Sequence, residues 1–575
     1  TLDLRPEGNG YFRGSTLKAR AGTLYTFRLD DDDYAYPDPV SRFQPEGPHG
    51  PSQVVDPAAF QWTDDNWQGL PATGQVLYEM HVGTFTPEGT WDAARRQLTE
   101  LASAGITGIE IMPIADFGGR WGWGYDGVDL FAPTRVYGSP DDVRRFIDDA
   151  HRAGIGVILD VVYNHLGPDG NYLKAFADDY FTDAFTTDWG EAINFACEPV
   201  REFYLSNVAY WIEEFHFDGL RLDATQDIHD SGPEHILGAI AKKARQAAGR
   251  KSVYLVGENE PQDTQLVRAP ETGGFGMDAL WNDDFHHSAL VAMTGRNEAY
   301  YTDYRGDPQE FVSSAKYGYL YQGQRYKWQE KRRGTPALDL PAANFVTFIQ
   351  NHDQVANSAH GDRPNVLTHP GRYRAMSALL MLGPGTPMLF QGQEFGATNP
   401  FLYFCDHESG LCDQVAKGRR EFLAQFRSLA QPELQSRLDH PGNPSTFERS
   451  KLDFSERERN AAVYALYKDL IRLRRSIEYE RVDGAVLSAS AFVLRYVASA
   501  GNDALLLVNL GRDLHLNPAP EPLLAPPWRK SWAATFSTED PRYGGTGTFP
   551  PDSEDNWRIA GHSAIFLQAV NAKNE

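Results

Sequence analysis

The sequence predicts a (β/α)8 TIM barrel with an N-terminal β-sandwich-like module before it and a C-terminal antiparallel β domain after it. Three observations lead to that α/β architecture. Eight near-continuous apolar runs of strand length lie between residues 76 and 395, most of them separated by stretches with helical spacing. Polar and charged side chains gather where those runs end. After residue 484 the helical periodicity stops, and only short strand-like runs with turn residues remain.

Residues 1–70 are rich in turns: PEGNG, the DDDD run at 30–33, YPDP and PEGPHGP, with short runs such as TLYTFRL (23–29) between them. This reads as a small β module, expected to lack its first strands. The acidic run reads as a solvated hairpin turn rather than a calcium site.

Residues 71–484 carry the barrel. Its strand runs are 76–85, 105–114, 155–165, 217–225, 252–260, 278–285, 345–354 and 386–395. Such unbroken apolar runs suit strands buried on both faces. Helices are expected around Trp91–Leu101, Val143–Ala150, Val200–Trp211, Glu234–Ala248, Arg372–Leu382 and Ala461–Arg475. Stretches 166–198 and 396–458 read as insertions. An open doubly wound sheet is the alternative, but the first unit shows no Gly-rich dinucleotide fingerprint. In residues 485–575, FVLRYVAS, ALLLVNLG, WAATFST and AIFLQAV alternate with turns, which suits a β-sandwich.

The charge balance narrows the partners. With 54 Lys and Arg against 78 Asp and Glu, the net charge is −24. Such a surface repels phosphate backbones and anionic membranes, so no nucleic acid and no membrane partner is expected, and a neutral substrate is. The most apolar run, 375–390, is broken by Gly383-Pro384-Gly385 and is too short to span a bilayer. Cys197, Cys405 and Cys412 are too few for a disulfide framework. Cys405 and Cys412 could pair, but a reduced cytoplasmic protein is the simpler expectation. The chain begins TLDLRPEGNG, without Met or a visible cleavable signal, which fits a leader removed or omitted. A monomer or weak oligomer is expected.

In a TIM barrel the chemistry sits at the C-terminal ends of the strands. The third run ends in Asp160 and Asn164-His165, the fourth in Arg221 and Asp223, and the fifth in Glu258. The sixth ends in Asp283, Asp284, His286 and His287, and the seventh in Asn351-His352-Asp353. A metal centre is one use for such a set, but no strand shows the paired His-x-His spacing that commonly starts one, so no metal is expected.

Hydrolysis of a glycosidic bond fits more of the pattern, because it takes two carboxyl groups flanking the anomeric carbon. Asp223 and Glu258 end neighbouring strands, and a separation of about 5 Å there would suit a retaining enzyme. Asp223 stands two residues from Arg221 on one face of a strand, so it should stay ionised. Glu258, with no arginine at hand and an apolar strand behind it, should hold a proton. Trp121, Trp123, Tyr125, Tyr163 and Trp281 offer flat faces for sugar rings. Gly-flanked WGWGYDG (121–127) reads as too open to be core.

DVVYNH (160–165), GLRLDAT (219–225), GEN (257–259) and FIQNHDQ (348–354) resemble, in order, the four motif blocks of the α-amylase family of glycoside hydrolases. The resemblance implies that Asp223 is the nucleophile and Glu258 the general acid/base, and that Asp353 stabilises the transition state. It also implies that His165, His352 and Tyr125 touch the sugar being cleaved and that Arg221 orients the nucleophile. Asp160, Trp123, Trp281, Asp283, Asp284 and His286 complete the candidate substrate contacts.

The stretches YEMHVGTFTPEGT, WGYDGV, DATQDI, WNDDFHH, GQEFG and FLYFCDH are similar to one subgroup, which hydrolyses the α-1,4 bond adjoining a terminal trehalose. That implies a maltooligosyltrehalose or related α-glucan substrate, with no cofactor. Asn164 stands where many family members place a calcium ligand, but the subgroup is generally described without essential calcium. A glycogen branching or debranching enzyme is the alternative. A non-catalytic glucan-binding protein would be expected to lack one of the three carboxylates.

Overall fold

A computed structural model of the chain describes residues 1–30, 32–187, 189–553 and 556–572. Of the acidic run at 30–33, Asp31 lies outside the described residues. Eight parallel strands close into a barrel: β1 (Leu77–Met80), β2 (Gly108–Ile111), β3 (Gly156–Val161), β4 (Gly219–Leu222), β5 (Tyr254–Gly257), β6 (Ala279–Trp281), β7 (Phe345–Thr347) and β8 (Thr386–Phe390). Each lies within one of the eight apolar runs and pairs with its sequence neighbours, β8 returning to β1.

The period of two decides what fills the barrel. Leu77, Ile158, Tyr254, Val256, Ala279, Trp281, Val346 and Met388 pack together inside it. Tyr78, Ile109, Leu159, Leu220 and Leu255 belong instead to the larger core shared with the surrounding helices. Two residues beyond Leu77 and Ile158 come Glu79 and Asp160, and Glu110 and Arg221 take the equivalent places on β2 and β4. All four are buried. The layer nearest the C-terminal ends is therefore charged, although it is enclosed. Gly219 opens β4 because that strand lies against β5: a Cβ there would stand 1.9 Å from the Tyr254 carbonyl oxygen.

The helices follow the apolar spacing. They include Pro140–Arg152, Glu198–Glu213, Ile236–Ala248, Pro370–Leu382 and Ala461–Arg474. The helix at 140 starts with a capping box, Ser139 with Asp142, and Pro140 at its first turn. The stretch 166–198 folds into a short helix, Leu173–Phe176, and a hairpin of Phe181–Thr187 with Gly190–Ile193.

Before the barrel, the described residues form only short pairings, Arg5–Gly8 with Tyr11–Arg13 and Leu24–Tyr25 with Ser52–Gln53, rather than a sandwich-like module. Residues 63–67 are committed to the barrel. Thr63 donates to Asp148, and the Trp67 indole donates to Asp218 at 2.6 Å. His151 is wedged between Asp64 (2.8 Å) and Asp218 (2.9 Å).

After the barrel, five antiparallel strands run in the order Arg481–Ser488, Ala491–Val497, Ala504–Asn509, Ser563–Asn571, Lys530–Ser537. A smaller sheet pairs Asn556–Ile559 with Leu514–Leu516 and Asp552–Ser553. Leu505, Leu507, Ile565, Trp557 and Ile559 fill the space between the two sheets. Phe492 stacks on Phe311, and the Tyr496 hydroxyl donates to the Leu382 carbonyl, which ties the larger sheet to the barrel.

All three cysteines are free thiols, with Cys405 and Cys412 sulfurs 3.9 Å apart. Among the described residues, no helix is long and apolar enough to cross a membrane.

The Asp64–His151–Asp218 group gives a stability prediction. Burial works against the His151 imidazolium, but the two carboxylates outweigh it and raise its pKa. Its contribution is then complete below the ordinary histidine value of about 6.5 and is lost as pH rises through the higher folded value. Removing the ring takes one partner from each carboxylate, while Asp64 keeps His216 and Lys251 and Asp218 keeps the Trp67 indole and the Val157 amide. His151→Ala should therefore lose about 1–3 kcal/mol in urea unfolding below pH 6.5 or so. The gap from wild type should narrow at alkaline pH. An unaltered unfolding midpoint at low pH would show that the network does not support the fold.

Candidate active site

At the centre of the C-terminal face lies Arg221, the inward residue of β4, whose side chain is fully enclosed. The parallel register sets it beside Asp160 on β3 and opposite Val256 on β5. Its Nη1 donates to Asp160 Oδ2 at 2.8 Å and to Asp223 Oδ1 at 2.9 Å. Its Nη2 stands 2.8 Å from Glu258 Oε2, a close ionic contact off the line of an N–H bond. Burial opposes the guanidinium charge, but the surrounding carboxylates keep its pKa well above the ordinary arginine value. Glu258 thus has an arginine at hand, contrary to the sequence expectation. Parallel strand pairing brings Arg221 to it across 37 residues of chain.

Asp223 and Glu258 follow directly on β4 and β5, where the barrel ladder continues for one more step. The Asp223 amide donates to the Val161 carbonyl and the Glu258 amide to the Leu222 carbonyl. Asn164 donates to Asp223 Oδ2 at 2.8 Å. Ala224 then turns into the left-handed region, φ 39°, and its amide donates to Glu258 Oε2 at 3.0 Å. The Thr225 amide and hydroxyl both hold the Glu258 carbonyl.

Burial is the largest influence on Glu258. Arg221 and the Ala224 amide hold its pKa down, Asp223 and Asp353 push it up, and the result is a pKa raised to about 8. Burial likewise raises Asp160 to about 6, against the pull of Arg221.

Asp353 lies in the first turn of a short helix, His352–Ala356, with its side chain 41% exposed to the cleft. His352 is buried. Its Nδ1 pairs with Glu79, and its backbone amide donates to the same carboxylate at 3.0 Å. Burial disfavours the imidazolium here, but Asp353 and Glu79 together raise the pKa to about 9. The Tyr125 hydroxyl donates to Asp160 at 2.7 Å and lies 3.0 Å from His352 Nε2, while the two rings stack. His165 is held by Asn164 and by the Tyr125 carbonyl, and burial lowers its pKa.

Not every sequence candidate joins this cluster. Trp281 lies beneath it, with the Arg221 guanidinium 4.2 Å over its ring and Phe348 beside it, so that face is covered by protein. Trp123, expected in an open loop, is buried among Phe401, Tyr403, Phe404 and His352, and its indole donates to the Leu402 carbonyl.

Strand β6 stops at Trp281, and Asn282 caps a helix, Asp283–Thr294. Helical spacing therefore splits the sixth cluster. Asp283 is half-buried beside Glu260 and Asp353, and burial raises its pKa to about 7 against the pull of Arg333. Asp284 is enclosed, accepting from the Tyr304 hydroxyl and the amides of Leu320 and Tyr321. His286 stacks on Phe348 inside the protein, and His287 is buried against Tyr301 and Tyr304.

Sequence reasoning missed Glu79 and Glu110. Each is a lone acid inside an apolar strand run, and that anomaly could have exposed them. Among the described residues, no group of three or more His, Cys, Asp or Glu side chains is placed to hold a metal ion.

The arrangement offers an ionisable carboxylate and a protonated one at adjoining strand ends, around a fixed cation. Comparison with known proteins agrees with that chemistry. The alpha amylase catalytic domain matches residues 54–189 and 174–481, and a domain of unknown function, DUF3459, matches 480–555.

The malto-oligosyltrehalose trehalohydrolase of Deinococcus radiodurans is 41% identical over 86% of this chain and 82% of its own length. That of Saccharolobus solfataricus is 39% identical over 82% and 81%. The 1,4-alpha-glucan branching enzyme GlgB of Rhodococcus jostii is 29% identical over 66% of this chain and 53% of its own. A crystal structure from Salmonella typhimurium described as that of an alpha amylase superposes with a TM-score of 0.86 at 35% identity, covering 98% of this chain and 94% of the other. With its barrel, its paired carboxylates and these relatives, the chain belongs to the α-amylase family and is a glycoside hydrolase.

Proposed function

We propose that this hydrolase releases trehalose from maltooligosyltrehalose by a retaining mechanism. The substrate rests on one observation above all. Relatives named for that reaction match at about 40% identity across four-fifths or more of the chain, against 29% over two-thirds for the branching enzyme. The mechanism rests on the protonation states around Arg221.

In the first step the Asp223 carboxylate attacks the anomeric carbon, while Glu258 gives its proton to the departing glycosidic oxygen. Trehalose leaves, and a glycosyl ester on Asp223 remains. Glu258, now ionised, takes a proton from water, which attacks the same carbon and restores Asp223. Arg221 and Asn164 fix the two Asp223 oxygens. Tyr125, Asp160, His165 and His352 surround the sugar that stays behind, and Asp353 accepts from its hydroxyls. Asp283 is the member of the sixth cluster available to substrate. Trp123, Trp281, Asp284 and His286 act from behind, by packing. The free thiols support a reducing, cytoplasmic setting.

Incubation with maltopentaosyltrehalose should yield free trehalose and maltopentaose. Asp223→Ala should lower turnover by about 10⁴-fold or more, as loss of a nucleophile does, with oligosaccharide affinity held within about tenfold. New branch points in place of free trehalose would refute the substrate; normal turnover by Asp223→Ala would refute the nucleophile.

A second prediction concerns pH. Glu258 must be protonated to act as the acid, so kcat/KM should fall as pH rises through about 8. Arg221 holds that pKa down, and lysine at this position would present one ammonium in place of a fork. Arg221→Lys should therefore move the alkaline limb to higher pH. A limb unmoved in an active, folded Arg221→Lys enzyme would disprove the coupling.

A further inference from the structure

Glu79 stands near the end of β1, with Glu110 beside it on β2 and Phe390 on β8. It is enclosed, yet its carboxylate reaches past β8 to the segment that follows β7. There both oxygens go to one residue. Oε1 pairs with His352 Nδ1, and Oε2 accepts from the His352 backbone amide at 3.0 Å. That amide opens the helix His352–Ala356, where no carbonyl of the helix itself can accept from it. Glu79 therefore fixes both the ring and the start of the turn that carries Asp353. Its own backbone is fixed in turn, because the Gln391 amide donates to the Glu79 carbonyl.

Counting protons around the ring gives its charge. Above about pH 6, where Asp160 is ionised, the Tyr125 hydroxyl gives its one proton to Asp160 at 2.7 Å. The 3.0 Å contact between that hydroxyl and His352 Nε2 must then run from a ring N–H to the phenol oxygen. Nδ1 faces a carboxylate that already accepts from the adjoining amide, so it carries a proton as well. With both nitrogens protonated, His352 is an imidazolium.

The groups around the ring decide what keeps that proton. Burial and the Arg221 guanidinium on β4 work against it, and Asp353 and Glu79 outweigh them. Glu110 on β2 and His81 after β1 are close enough to feel the imidazolium charge, and Asp160 on β3 reaches it through Tyr125. The Trp123 and Trp281 rings complete the enclosure. Of the two anions that favour the proton, Asp353 opens to the cleft and is diverted when it accepts from sugar hydroxyls. Glu79 is enclosed and spends its carboxylate on His352 alone. Its pull is therefore the same with and without substrate.

We propose that Glu79 is a positioning residue of the hydrolytic reaction: it holds His352 as a fixed imidazolium, so that the ring keeps an N–H toward Tyr125 and the cleft and a positive charge beside Asp353. The inference rests on the placement of His352 and Asp353 against the retained sugar proposed above, and it adds the group that sets their charge and orientation.

The test uses α-maltosyl fluoride, because fluoride departs without a proton from Glu258 and the alkaline limb of kcat/KM then reports His352. In the wild-type enzyme that limb should lie near pH 9. Glu79→Gln keeps the shape of the side chain and removes its charge, so the limb should move to lower pH by about 1–3. Glu79→Met, also neutral and of similar length, should reproduce the shift and serves if the glutamine variant does not fold. Glu79→Asp keeps the charge and should restore most of the wild-type limb, even where the shorter side chain lowers kcat/KM throughout. In a His352→Gln background, Glu79→Gln should leave the shape of the profile unchanged. A residue that only braces the fold would lower the whole profile without moving the limb. A limb unmoved in the folded neutral variants, or moved as far by Glu79→Asp, overturns the inference. A His352→Gln enzyme as active as wild type would refute the placement of His352 and the inference with it. This readout does not depend on which disaccharide leaves, so failure to free trehalose refutes the substrate proposed above and not this inference.

Discussion

The site depends on one buried guanidinium shared among more carboxylates than it can neutralise. Arg221 meets Asp160, Asp223 and Glu258 directly, and Glu110 lies close enough to feel its charge. His352, with its raised pKa, is the second cation, and it is claimed by Glu79 and Asp353. Two positive charges therefore face six acids in a largely enclosed layer. The remaining charge is unfavourable there unless some acids keep their protons. Burial selects which ones: Glu110 far above its ordinary value, Asp160 near 6 and Glu258 near 8. The proton on Glu258 thus follows first from burial, which Arg221 alone does not offset, and then from the neighbouring Asp223 and Asp353.

That shortage is useful only if the geometry is fixed, and the strand ladder fixes it. Arg221 faces Asp160 because β3 and β4 pair in a single register, and a one-residue slip would turn Arg221 out of the barrel. Ala224 adds a local constraint. Its left-handed conformation costs about 1–2 kcal/mol for a residue with a Cβ, and the amide it turns toward Glu258 partly offsets that. The chain leaves β4 in the one direction that lets two successive strand ends grip each other.

Much of this was legible in the sequence, because barrel strands and their polar ends are local patterns. The eight apolar runs each contain a strand, and Asp160, Arg221, Asp223, Glu258, His352 and Asp353 stand where such ends place them. What was hidden depends on contacts between distant stretches. The Arg221–Glu258 contact follows from strand pairing. Trp281 looked like a sugar platform until Arg221 was placed above its ring. Trp123 sits between glycines, yet residues 401–404, nearly three hundred positions later, close over it. The run at 278–285 reads as one strand, but its change to a helix at Asp283 sends Asp284 and His286 inward.

The same distinction separates chemistry from substrate choice. Bond cleavage, as proposed above, uses side chains at the ends of β3, β4, β5 and β7, each marked by a short motif. The loop after β5 and residues 329–335 belong to no motif block, and they touch only because backbone bonds and the Gln329–Glu260 contact hold the loops together. A loop assembly of this kind can change its hydroxyl contacts without moving Arg221 or the strand register beneath it. It also explains why the motif blocks point to a glycoside hydrolase but leave the leaving group open.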